Sequence, residues 1–92
     1  MNLSLHAQKQ LVTRALPFYL VEMVLENPQQ IIESEGAKVY QWQFDYNGKM
    51  QLLRVVVNDI KPIFVVTIYL TIKISKYWKY SRKHITTMKL TH

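Results

Sequence analysis

A chain of 92 residues, 49% hydrophobic with only two Gly and three Pro, has room for one modest core and is too rich in apolar residues to be disordered throughout. The absence of cysteine excludes disulfides and thiol catalysis, and a net charge of +6 calls for an acidic partner, nucleic acid or an acidic protein ahead of acidic lipid. The longest apolar stretch, residues 62–72, falls far short of the roughly 20 residues that cross a bilayer as a helix, and residues 1–11 lack the apolar core and cleavage site of a secretory leader, so a cytoplasmic location and no membrane partner are expected.

Leu5, Leu11, Val12, Ala15 and Leu16 recur at near-helical spacing and predict an amphipathic helix over about 4–16. Pro17 separates it from a second helix over about 17–27, where Phe18, Val21, Val24 and Leu25 share a face and Asn27-Pro28 closes the last turn. The two are expected to form a helical hairpin. Residues 29–37 read as a connector with a short extended piece at Ile31 and Ile32.

At Lys38 the period changes to two: Tyr40, Trp42, Phe44 and Tyr46 alternate with Val39, Gln41, Gln43 and Asp45, predicting a strand over 38–46. Asn47-Gly48 follows, and a two-residue turn of that type needs positive φ at both positions, which these residues tolerate best. The turn pairs Tyr46 with Lys49, Phe44 with Gln51, Trp42 with Leu53 and Tyr40 with Val55 in a second strand over 49–58. One face collects the rings; the other collects Gln41, Gln43, Asp45, Met50, Leu52 and Arg54. A third strand over 62–73 continues the apolar face with Phe64, Val66, Ile68, Leu70 and Ile72 if Val55 pairs with Val66, and Thr67, Tyr69 and Lys73 then share the open face with Arg54. The expected fold is α+β, an N-terminal two-helix hairpin on an antiparallel sheet of three to four strands in a single domain spanning 1–92, with the polar sheet face uncovered. Ile74, Tyr77, Trp78, Ser81, Ile85 and Met88 fit one face of a basic C-terminal helix within a tail over 74–92.

Charge is sorted along the chain. Residues 60–92 hold Lys61, Lys73, Lys76, Lys79, Arg82, Lys83 and Lys89 and no acid, whereas residues 1–36 set Lys9 and Arg14 against Glu22, Glu26, Glu33 and Glu35. Bases interleaved with Tyr69, Tyr77, Trp78 and Tyr80 suit a phosphate backbone and unpaired bases; the plainer reading is a solvated Lys-rich end. Metal-ligand spacing is missing, since His6, His84 and His92 lie far apart, and Gly36 and Gly48 do not make a nucleotide loop, so no metal and no cofactor are expected. What remains is Arg54, Tyr69 and Lys73 on one sheet face, with His6 and Arg14 on the polar side of the first helix. Cleavage of RNA by its own 2′-hydroxyl needs a base, cations at the phosphoryl group and an acid for the leaving oxygen, and such a set can supply all three. His6, Arg54, Tyr69 and Lys73 are the catalytic candidates, and Arg14, Thr67, Lys76, Tyr77, Lys79, Arg82 and Lys83 the RNA-binding ones.

These residues carry a resemblance. His6-Ala7 followed by Arg14, the Val-x-x-x-Leu-x-Asn-Pro stretch over 21–28, the strand over 53–57, Thr67-x-Tyr69 and Lys73-Ile74-x-Lys76-Tyr77 resemble the small RelE-like toxins of bacterial toxin–antitoxin pairs. More narrowly, they resemble a domain family of unknown function grouped with the barnase, EndoU and RelE ribonuclease folds. The resemblance spans roughly residues 6–78 and departs after Trp78. It implies an mRNA-interferase type endoribonuclease acting on RNA, with or without the ribosome, and neutralised by a small acidic antitoxin. It points to His6, Arg14, Arg54, Thr67, Tyr69 and Lys73 without dividing base from acid. The alternative from another class is a non-catalytic RNA- or ribosome-binding module.

Overall fold

The computed structural model describes residues 2–34, 36–58 and 60–80. In chain order these form β1 (Asn2–Leu3), α1 (Leu5–Thr13), α2 (Phe18–Glu26), β2 (Gln30–Ser34), β3 (Ala37–Tyr46), β4 (Lys49–Asn58), β5 (Phe64–Thr71) and a single turn, α3 (Ile74–Tyr77). The fold is α+β, but the sheet is mixed and has five strands in the order β1-β5-β4-β3-β2, not an antiparallel three or four. The expected connector contains β2, antiparallel to β3, and β1 adds a two-residue parallel pairing to β5.

Asn47 and Gly48 both take positive φ, 56° and 81°, and the β3–β4 register follows the expected pairing from Tyr46 opposite Lys49 to Tyr40 opposite Val55. Asp45 braces the turn by accepting the Gly48 N–H at 2.9 Å. On β5 the expectation fails by two residues: Val55 pairs with Ile68, not Val66, and a bulge at Val56/Val57 shifts the ladder. A bulge inserts one unpaired residue and so reverses parity beyond it. Val65 therefore enters the core in place of Phe64 and Val66, while Ile72 is exposed.

One face of the sheet carries the core. Leu53, Val55 and Val57 of β4 and Val65, Ile68 and Leu70 of β5 pack with Ala7, Leu16, Leu20, Val21 and Val24, each such apolar side chain larger than Ala contributing roughly 1.5–3 kcal/mol on burial. Tyr40, Trp42, Phe44 and Tyr46 flank this cluster, with the Trp42 and Phe44 rings stacked at 4.9 Å. Rather than forming a hairpin packed on itself, the helices meet the sheet separately, α1 on β1 and β5, and α2 on β3 and β4. Ser4 anchors α1: its Oγ accepts the Ala7 N–H at 2.9 Å as N-cap and donates to the Val66 carbonyl at 2.7 Å.

Helix α1 stops three residues before the expected end. Leu16 must turn inward to reach the core, and the chain does so through Ala15 at φ 53°, with Leu16 N–H bonded to Leu11 O and Ala15 N–H to Val12 O. This is a left-handed C-cap built without glycine. Helix α3 likewise ends at Tyr77, because Trp78 is extended, and the expected continuation through Ser81, Ile85 and Met88 lies outside the described residues.

The two left-handed positions give opposite expectations. Ala15→Gly relieves a Cβ clash and should raise stability by up to about 1 kcal/mol, whereas Gly48→Ala introduces one and should lower it by about 1 kcal/mol. Chemical denaturation of both variants against the wild type measures the two signs.

Candidate functional site

Strand pairing sets Gln30 opposite Gln41, Gln41 opposite Arg54 and Arg54 opposite Tyr69, one row across four strands. Neighbouring residues on a strand point to opposite faces, so this row faces away from Leu53, Val55 and the helices. The face is not left open as expected. Residues 74–80 return across it as a strap hydrogen-bonded to Gln41 and Gln30, and both Gln41 and Leu52 on this face are fully buried.

Within the row, Arg54 donates its Nε–H to Gln41 Oε1 at 2.7 Å. Gln41 Nε2 donates to Gln30 Oε1 at 3.0 Å and to the Tyr77 carbonyl at 3.3 Å. Gln30 Oε1 also accepts the Lys79 N–H at 3.0 Å, and Gln30 Nε2 donates to the Lys79 carbonyl. The strap lays the Tyr77 ring on the guanidinium, 4.2 Å from the Arg54 Cζ to the ring centroid. Tyr69 meets the same ring edge-on with centroids 5.7 Å apart, and Lys76 Nζ stands 5.3 Å from its centroid. The site is thus a cation flanked by two phenols, with a lysine beside them.

Burial lowers the Arg54 pKa, and the neighbouring phenols Tyr77 and Tyr69 oppose that shift; an arginine remains protonated at neutral pH regardless. Tyr77 is held below the ordinary phenol value, chiefly by hydrogen bonding with Tyr69 and further by Lys76 and Arg54, while burial acts in the other direction. A depressed phenol next to a bidentate cation can both bind an anion and accept a proton.

Among the expected residues, Arg54, Tyr69, Lys76 and Tyr77 come together. Thr67 is paired with Val56 two positions along β5 from Tyr69, on the same face. Lys73 is exposed and caps α3, its backbone N–H bonded to Thr71 Oγ1 at 3.0 Å, and no hydrogen bond or ring contact joins its ammonium to the cluster among the described residues. Lys79 enters the network through its backbone only. His6 and Arg14 do not join them: both are exposed on or at the end of α1, which packs against the core-bearing face, so the sheet separates that helix from the face carrying Arg54. Arg82 and Lys83 lie outside the described residues. Sequence reasoning passed over Gln30 and Gln41 as site residues, although the Asn-Gly register already put Gln41 opposite Arg54, and a glutamine facing a half-buried arginine is its natural acceptor.

Fold and site together define a small basic α+β domain whose polar chemistry is presented on a sheet face under a C-terminal strap. Residues 3–70 match the model of DUF4258, a domain family of unknown function, and the chain belongs to that family. The matched region takes in Gln30, Gln41, Arg54 and Tyr69 and ends before Lys76 and Tyr77. No curated protein and no solved structure matches the chain. Among the described residues, no helix is long and apolar enough to cross a membrane.

The lowered Tyr77 pKa has a definite sign in stability. A group whose folded pKa is depressed contributes stability that is present above its unfolded value, near 10 for tyrosine, and that is lost as pH falls through the folded value. The stability difference between wild type and Tyr77→Phe should therefore shift toward the wild type as pH rises toward about 10. Tyrosinate absorbance should show Tyr77→Phe losing a phenol that titrates below the ordinary value and Lys76→Ala moving that titration upward.

Proposed function

We propose that this chain is a metal-independent endoribonuclease of the RelE-like kind, the toxin of a type II toxin–antitoxin pair, acting on RNA in the cytoplasm and neutralised by a small acidic antitoxin. The observation that carries this reading is the cluster of Arg54, Tyr69, Lys76 and Tyr77, which pairs a guanidinium with a phenol of lowered pKa. Tyr77 as phenolate takes the proton of the 2′-hydroxyl, and the 2′-oxygen attacks phosphorus. The bond from phosphorus to the 5′-oxygen breaks, and Tyr69 or Lys76 returns a proton to the departing oxygen. Arg54 carries the charge that builds on the phosphoryl oxygens. Products are a 2′,3′-cyclic phosphate and a 5′-hydroxyl. His6 has no part in this scheme, and Lys73 serves as an outer phosphate contact beside the strap.

A second reading, a non-catalytic RNA- or ribosome-binding module, is favoured by one feature: no histidine or carboxylate contacts Arg54 or Tyr77 among the described residues. Incubation with RNA in the presence of a chelator, followed by mapping of ends, separates the two. Wild type should produce cyclic phosphate ends, Arg54→Ala should cleave roughly 10²–10³-fold more slowly, and Tyr77→Phe roughly 10²–10⁴-fold more slowly with loss of the ascending limb of the pH profile that a general base sets. Salt-sensitive RNA binding by the wild type with no new ends would decide for the binding module.

A further inference from the structure

Arg54 sits mid-strand on the middle strand of the sheet, half-buried, with only donors to offer. A free guanidinium there would swing through several rotamers and present a different edge in each. Its Nε–H is instead bound at 2.7 Å by Gln41, a side chain with no exposed surface at all. Because arginine cannot accept, the Gln41 oxygen must face it and the Gln41 amide nitrogen must face the other way. That nitrogen meets two acceptors, Gln30 Oε1 and the Tyr77 carbonyl. Gln30 then presents its own nitrogen to the Lys79 carbonyl and its oxygen to the Lys79 N–H. Every donor in the chain from Arg54 to the strap has one direction it can point, and reversing either amide breaks three bonds.

We propose that Gln41 is the positioning residue of the site: it fixes the guanidinium by Nε, leaving the paired terminal nitrogens for a phosphate, and through the same carboxamide it docks the strap that brings Tyr77 over Arg54. Among the described residues no hydrogen bond uses those terminal nitrogens, and their edge matches two phosphate oxygens in parallel. Gln30 is the second member, holding the strap without touching the cation. The proposal rests on the ribonuclease reading only for the identity of what Arg54 binds; the coupling of strap to guanidinium stands apart from it.

Three variants separate the two arms of Gln41. Gln41→Leu keeps the volume and loses both arms. Gln41→Glu keeps an acceptor for Arg54 but sets a carboxylate against the Tyr77 carbonyl and Gln30 Oε1, so it keeps the first arm and loses the second. Gln30→Ala loses both bonds to Lys79 and one acceptor of the Gln41 amide, and leaves the bond between Gln41 and Arg54 in place. Limited trypsin digestion read by mass spectrometry reports strap docking through cleavage after Lys76 and Lys79, and hydrogen exchange at the Arg54 Nε–H, followed by nuclear magnetic resonance, reports the guanidinium. Cleavage in the strap should accelerate about tenfold in all three variants, in line with loss of one or two net hydrogen bonds. Exchange at Arg54 should quicken in Gln41→Leu and stay slow in Gln41→Glu and Gln30→Ala. On RNA, Gln41→Leu should lose about tenfold in kcat with a smaller change in KM. Unchanged strap cleavage in both Gln30→Ala and Gln41→Glu, or unchanged Arg54 exchange in Gln41→Leu, would overturn the proposal. If Gln41→Leu does not fold, slow Arg54 exchange with fast strap cleavage in Gln41→Glu supports it and any other pattern in that variant sinks it. A wild type that cleaves no RNA removes the ribonuclease reading while the digestion and exchange results still decide this one.

Discussion

The hydrogen bond from Arg54 Nε to buried Gln41 is the constraint on which the polar half of this protein depends. A charge on the middle strand of a sheet must be solvated or paired, because an unsatisfied buried donor costs about 1–3 kcal/mol and a charged one more. No carboxylate answers it among the described residues; Gln41 and the Tyr77 ring do, and Gln30 and the Tyr77 carbonyl hold Gln41 in turn. Neutral partners leave the positive charge uncancelled. The sheet face thus keeps an electrostatic demand for an anion, which an ion pair would have silenced.

The same arrangement explains why the strap follows β5 so closely. Thr71 accepts the Lys73 N–H, α3 makes one turn, and Trp78 returns to extended geometry so that Lys79 can pair with Gln30. A longer α3 would carry Lys79 away from Gln30. Basic residues and aromatics that look like a helical tail by periodicity are therefore divided: Tyr77 turns its ring to Arg54, and Lys79 lends only its backbone. The depressed Tyr77 phenol is a product of this placement, since Tyr69 and Arg54 come from adjacent strands and Lys76 from the strap itself.

Much of the sheet was legible beforehand. The change to a two-residue period at Lys38 and the Asn47-Gly48 turn determine ten cross-strand pairs of β3 and β4 and place Arg54 on the polar face. Parity puts Tyr69 on the same face as Arg54, although Val55 opposite Val66 sets Thr67 across from Arg54 where the structure has Tyr69; the slip is two residues, and a shift of two preserves the face. The bulge at Val56/Val57 was illegible because nothing local marks it: Val56, Val57, Val65 and Val66 are interchangeable in character, and Val57 and Val65 are the two that join the core. The pairing of β1 with β5 was equally hidden, since two residues carry no period, whereas the apolar face under the helices, and with it the separation of His6 and Arg14 from Arg54, follows from the alternation of the strands.

The sequence by itself determined the α+β class, the second helix, the central hairpin with its register, and a cationic, phenolic chemistry free of cysteine, because periodicity, turn preference and composition are properties of neighbouring residues. Only the tertiary structure decided which candidates meet. Arg54, Tyr69 and Tyr77 are joined by contacts between residues up to 23 positions apart, and Gln30 reaches Lys79 across 49. Such contacts form because a half-buried guanidinium recruits whatever donors, acceptors and rings the folded chain brings within reach, and that reach is a matter of packing rather than of spacing along the chain.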